Sequence, residues 1–171
     1  MRSLVDVWRE PLFWVQAGVF SREYHLVLGD ERLATLRFAG FTGREANAES
    51  AEGHWILRRD GRLSRSVTIL DAAGDRAIAR FEGHWFGRGR LTFEGGESVD
   101  WRSLGFWGLE WGFARDAGDP VVRIRNRFSF LRDKAGVTIE RDSQPARELA
   151  VMAILGWYLL VRMKRRAAAA A

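Results

Sequence analysis

The chain has 171 residues, 47% hydrophobic and 29% charged, and no cysteine. That much apolar material supports one buried core and excludes a disordered chain, while the lack of cysteine excludes a disulfide scaffold, a thiol nucleophile and a thiolate metal site. The net charge is +5, and only Lys134 and Lys164 are lysines, so arginine supplies nearly all the basic groups. Arginine suits phosphate and carboxylate partners, although a GC-rich coding sequence also produces this arginine and alanine bias.

Asp6, Arg9 and Glu10 precede the first apolar run, Pro11–Phe20. This charge order is wrong for a signal peptide, and a cytoplasmic protein is expected. From Leu12 to Glu140 the apolar pattern has period two, which predicts strands rather than helices. Alternation is visible at Tyr24–Leu28, Leu33–Phe38, Val67–Leu70 and Leu91–Phe93. Trp107, Leu109, Trp111 and Phe113 alternate with Gly108, Glu110 and Gly112, and are expected to turn one apolar face to the core. The clearest run is Val121–Leu131, with Val122, Ile124, Phe128 and Phe130 on one face and Arg123, Arg125, Arg127 and Ser129 on the other.

Asp and Gly punctuate these runs. Gly29-Asp30, Asp71–Asp75, Asp116–Asp119 and Asp133–Gly136 all read as hairpin turns, with Asp bonding its own backbone and Gly supplying positive φ. Gly53-His54-Trp55 and Gly83-His84-Trp85 hint at two related strand starts.

The pattern changes at Asp142. Asp142-Ser143-Gln144-Pro145 offers helix caps and a first-turn proline, and Leu149–Val161 then runs without a charge up to Arg162, Lys164, Arg165 and Arg166. A helix over Glu148–Met163 would be apolar all round, so it must be enclosed by protein or lie in lipid. Its uncharged part spans about 20 Å, short of the ~30 Å hydrocarbon layer, which favours a core helix over a tail anchor. A single domain over residues 1–166 is expected, with the central helix near 145–165 and a disordered alanine tail at 167–171.

The hairpins Leu70–Ala79 and Phe113–Val122, followed by the apolar helix Glu148–Met163, resemble the tubby-like superfamily: tubby C-terminal domains, LURP-one-related proteins and phospholipid scramblases. The resemblance covers Leu12–Met163 and implies a mainly β fold, a closed antiparallel barrel of about twelve strands around the buried C-terminal helix. Tubby domains bind phosphoinositides through basic residues, so the resemblance also implies phospholipid binding. The scramblase calcium segment corresponds here to Val137–Asp142, with only Glu140 and Asp142 as carboxylates.

Motifs for chemistry are sparse. Gly87-Arg88-Gly89-Arg90 leads into a strand rather than a helix, and Trp101-Arg102-Ser103-Leu104-Gly105 is half a nucleophile elbow. His25, His54 and His84 are the candidates for a zinc triad, and a shallow enzyme site near His54, His84 and Asp100 is the catalytic alternative. The stronger signal is the arginine row. Arg123, Arg125 and Arg127, followed by Arg132 and Lys134, form either an anion-binding face for phospholipid headgroups or a solvated face paired with Glu94, Glu97 or Glu110. The expected function is therefore a non-enzymatic binding or scaffold module at an anionic membrane surface. It is expected to be a monomer, with no cofactor implied and nucleic acid not favoured.

Overall fold

Period-two alternation on one side of the chain and an all-apolar segment at its end are resolved by a single arrangement, in which the strands wrap the helix. The computed structural model describes residues 1–40, 42–61, 63–72, 75–115, 118–127, 133–140 and 144–171. These form twelve strands, two short 3-10 turns (Leu4–Asp6 and Trp85–Gly87) and one α-helix. The first six strands are β1 (Leu12–Gln16), β2 (Glu23–Leu28), β3 (Glu31–Ala39), β4 (Glu45–Ser50), β5 (Gly53–Arg59) and β6 (Val67–Asp71). Then come β7 (Arg76–Gly83), β8 (Gly89–Phe93), β9 (Ser98–Ser103), β10 (Glu110–Ala114), β11 (Pro120–Arg127), β12 (Lys134–Ile139) and the helix α1 (Ala146–Ala170). Each strand pairs antiparallel with its sequence neighbours, and β1 pairs with β12 to close the barrel. Closure removes every sheet edge.

Alternation sorts the side chains. Trp14, Leu26, Leu36, Trp55, Leu57, Phe81, Trp101 and Phe113 are buried inside, whereas the outer wall carries cross-strand pairs such as Arg37–Glu23, Arg58–Glu45 and Arg90–Asp100. This is the inverse of the lipid-facing pattern of a transmembrane barrel. A twelve-strand barrel is too wide for wall side chains alone to fill, and a helix about 10 Å across occupies the remaining lumen. All thirteen residues from Leu149 to Val161 are buried. Trp157 stacks on Trp14 at 6.1 Å between centroids, and Tyr158 stacks on Phe38 at 5.3 Å. The apolar run is thus enclosed by the barrel; among the described residues, no helix is long and apolar enough to cross a membrane.

The two barrel ends differ. α1 starts at the end where the Leu4–Asp6 turn packs; Leu4 is fully buried there, and its amide donates to Glu52 between β4 and β5. Arg147, in the first turn of α1, pairs with Asp71 at the same end. This is the plugged end. α1 leaves at the opposite, exit end, where Lys164 pairs with Asp133 and the Arg165 guanidinium lies 4.4 Å from the Phe38 ring centroid.

Four expectations are corrected. Pro145, not a side-chain cap, is the N-cap of α1, and its carbonyl accepts from Glu148 and Leu149; residues 141–143 lie outside the described residues. The alanine tail is helical to Ala170, because alanine and the preceding arginines are strong helix formers with no Gly or Pro after Gly156. The Asp133–Gly136 turn is absent, since Lys134–Gly136 already pair with β11 and β1. The two Gly-His-Trp triplets are not equivalent: Gly53 opens β5 and Trp55 is core, whereas Gly83 closes β7 and Trp85 is exposed.

Gly156 marks the tightest contact between helix and wall. A Cβ there would stand 2.7 Å from Cδ1 of Ile124 and 3.0 Å from the Trp101 ring. Gly156→Val is expected to destabilise the protein by about 1–3 kcal/mol through overpacking, read as a lower denaturation midpoint. Ile154→Asp or Leu155→Asp places a lone carboxylate in the apolar interior and is expected to prevent cooperative folding. Well-folded protein from either Asp variant would contradict the enclosed helix.

Candidate functional site

The arginine row lies where alternation puts it, on the outer face of β11, but it is not free charge. Glu110 on β10 stands between two guanidiniums: Arg123 reaches it at 3.4 Å and Arg125 at 2.7 Å. Register makes this pairing, since Glu110 is opposite Arg125 and Gly112 is opposite Arg123. Lys134 sits 4.6 Å from the Phe13 ring centroid. Arg127 ends β11 opposite Lys134, which puts both at the exit end; Arg132, with Phe128 and Phe130, lies outside the described residues.

The histidines are dispersed. His25 bonds Glu23 at 2.7 Å on the wall. His54 stands near the start of β5 towards the plugged end, lining a shallow groove of about 250 Å³ with Arg37, Asn47 and Glu49. His84 follows β7 at the exit end, and Asp100 is held by Arg90 at 2.8 Å. His54 and His84 therefore lie at opposite barrel ends, and among the described residues no three His, Asp or Glu side chains could hold a metal ion. The Ser103 hydroxyl donates to the Gly105 carbonyl at 3.0 Å.

What the structure does bring together is a set of hairpin loops. In an up-and-down barrel, every loop that follows an odd-numbered strand lies at one end, and here that is the exit end. Those loops carry Val19 and Phe20, Leu63, Trp85 and Phe86, and Phe106, Trp107 and Leu109. Among the described residues these are all the large exposed hydrophobic side chains except Met1; Phe86 is 92% and Trp107 88% exposed. Strand alternation predicts Trp107 and Leu109 in the core, but β10 begins only at Glu110. Gly108 at φ +64° turns the chain just before it, so both side chains fall on an exposed loop.

Basic groups ring the same end. Arg22, Arg44, Arg65 and Arg88 come from its loops, and Arg162, Lys164, Arg165 and Arg166 from the emerging helix. Asp60 and Asp133 are nearby acids, engaged with Arg80 and with Lys164 respectively. The plugged end is the acidic one, its turns carrying Asp30, Glu52, Asp75, Glu94, Glu97 and Asp119. Because α1 continues to Ala170, its last turn holds no basic residue, so the helix macrodipole accounts neither for the helix's own cations nor for those of the loops.

At the mouth, burial lowers the pKa of Arg162, and the neighbouring Arg166 and Arg59 guanidiniums act in the same direction; Tyr158 opposes them. One Arg162 terminal nitrogen finds no hydrogen-bond partner among the described residues. The two tyrosines of the chain are both buried near this end. Burial raises Tyr158 despite Arg162, and burial together with Asp133 raises Tyr24.

Comparisons with family models, with curated proteins and with solved structures find no match for this chain.

The tyrosine shifts have a pH signature. Raised folded-state values mean that the stability contributed by Tyr24 and Tyr158 is fully present below the unfolded value of about 10 and is lost as pH rises beyond it. Tyrosinate absorbance of native protein is expected to stay flat through pH 10 and to rise only above it, whereas urea-unfolded chain titrates near 10. Native titration matching the unfolded curve would contradict this.

Proposed function

We propose that this chain is a non-catalytic module that docks its exit end onto anionic membrane surfaces. The observation that carries this reading is the coincidence of exposed aromatic loop tips and a cluster of basic groups on one barrel end. Trp and Phe side chains favour the membrane interface, where rings enter the headgroup region, and Arg and Lys favour acidic lipid. Each basic group near an anionic surface contributes about 1 kcal/mol, and several aromatic tips add apolar burial of about 25 cal/mol per Å². Together these suffice for reversible, salt-sensitive attachment, which two wall arginines shared with Glu110 would not.

The acidic plugged end supports one orientation, since anionic lipid repels it. The resemblance to the tubby-like superfamily belongs to the same proposal: a barrel threaded by an apolar C-terminal helix is the architecture it implies, and phospholipid binding the activity. The work would be done at the cytoplasmic face, with the barrel held peripherally by its loops.

Co-sedimentation tests this. Wild type is expected to pellet with vesicles containing phosphatidylglycerol at low salt, and not with neutral phosphatidylcholine vesicles. Phe86→Ser combined with Trp107→Ser is expected to weaken partitioning by about tenfold or more. Arg123→Ser with Arg125→Ser is expected to pellet like wild type. Brominated lipid is expected to quench the exposed Trp85 and Trp107 and to spare the enclosed tryptophans. Binding lost in the wall-arginine variant but kept in the loop variant would move the site back to β11.

A further inference from the structure

A cleft of about 280 Å³ opens beside the emerging helix, between α1, the loop joining β7 to β8, and the loop joining β5 to β6. Four arginines line it: Arg162 and Arg166 from α1, Arg88 from the first loop and Arg65 from the second, with His84 at the rim. Among the described residues none of the four arginines pairs with a carboxylate. Arg162 and Arg166 are four residues apart on one helix face, an arrangement in which like charges repel.

The walls are held in place by backbone. Gly87, at φ +77°, lets the loop approach α1 so closely that a Cβ would stand 2.9 Å from the Met163 methyl. Gly83 meets the Arg65 carbonyl in the same way, at 2.7 Å from an ideal Cβ. The Arg65 guanidinium lies 4.1 Å from the Trp85 ring centroid, which ties the cleft to the aromatic rim.

We propose that this cleft is a binding site for a phosphate monoester or other dianionic phosphate group. A carboxylate offers two oxygens and one charge, too little for a cleft lined by four arginines. A terminal phosphate offers three acceptor oxygens and up to two charges, and arginine forks bind it in pairs. The floor formed by Leu159 and Met163 accepts an apolar portion next to that phosphate. The group can be the headgroup of an acidic phospholipid such as phosphatidate, or a free phosphorylated compound. The lipid source rests on the docking reading above, while the site itself does not.

The test uses the full chain with Arg88→Gln plus Arg166→Gln, both exposed positions outside the packed interior. Inorganic pyrophosphate is the soluble probe, read as a shift in thermal midpoint. Phosphatidate vesicles are compared with phosphatidylglycerol vesicles at matched surface charge. Pyrophosphate is expected to stabilise wild type and not the double variant. Wild type is expected to prefer phosphatidate, and the double variant to bind it about thirtyfold more weakly, at roughly the loss known per basic group at an anionic surface. A pyrophosphate shift without phosphatidate preference supports the site and assigns it to a free phosphate compound. Equal pyrophosphate shifts in wild type and variant, or no shift together with no phosphatidate preference, overturn the proposal. Vesicle binding that persists without either effect leaves docking standing and removes the cleft, whereas a pyrophosphate shift without any vesicle binding does the reverse.

Discussion

The structure depends on one constraint: thirteen consecutive residues of α1 have no polar side to give to water. A helix packed on one sheet hides a stripe, and this one needs a complete wall. Twelve strands supply it, and closing β12 onto β1 satisfies the edge amides at the same time. The fit is close enough that any side chain at position 156 would have to displace Ile124 or Trp101. The interior favours shape over polarity, for the indole nitrogens of Trp14, Trp55, Trp101 and Trp157 have no hydrogen-bond partner among the described residues. Each such donor costs about 1–3 kcal/mol, offset by the large ring area removed from water.

Enclosing a helix also makes the two ends unlike. One is stoppered by the N-terminal turn around Leu4; the other is where α1 emerges with four basic residues. Up-and-down connectivity then gathers alternate loops around that exit, so that residues as distant in the chain as Phe20 and Trp107 share one end. A chain whose outer wall is laced with ion pairs leaves nearly all its large exposed apolar groups there. This segregation, rather than any single residue, directs the functional reading to the exit end.

The arginine row shows how a sound local inference can miss its consequence. Alternation along β11 places Arg123 and Arg125 outward, as the chain pattern implies. Whether that face is open depends on the neighbouring strand, and register brings Glu110 between the two. The zinc triad fails for a related reason: β5 and β7 run in the same direction, so His54 near the beginning of one and His84 just after the end of the other lie at opposite barrel ends.

By itself, the sequence determined the strand-rich body, the apolar helix and the requirement that the helix be enclosed, because periodicity and charge-free length are local properties read along one segment. It also placed the basic cluster that follows the apolar run, although the helix continues past it to Ala170. It did not separate Trp107, exposed on a loop, from Trp111, buried in the wall, since both satisfy the same alternation and the difference lies in where β10 begins. Nor did it reveal the exit-end cleft, whose Arg65, Arg88, Arg162 and Arg166 are brought together by the up-and-down connectivity and by the helix's direction through the barrel. Convergence of this kind depends on strand pairing between distant segments, a three-dimensional quantity that no window of sequence contains.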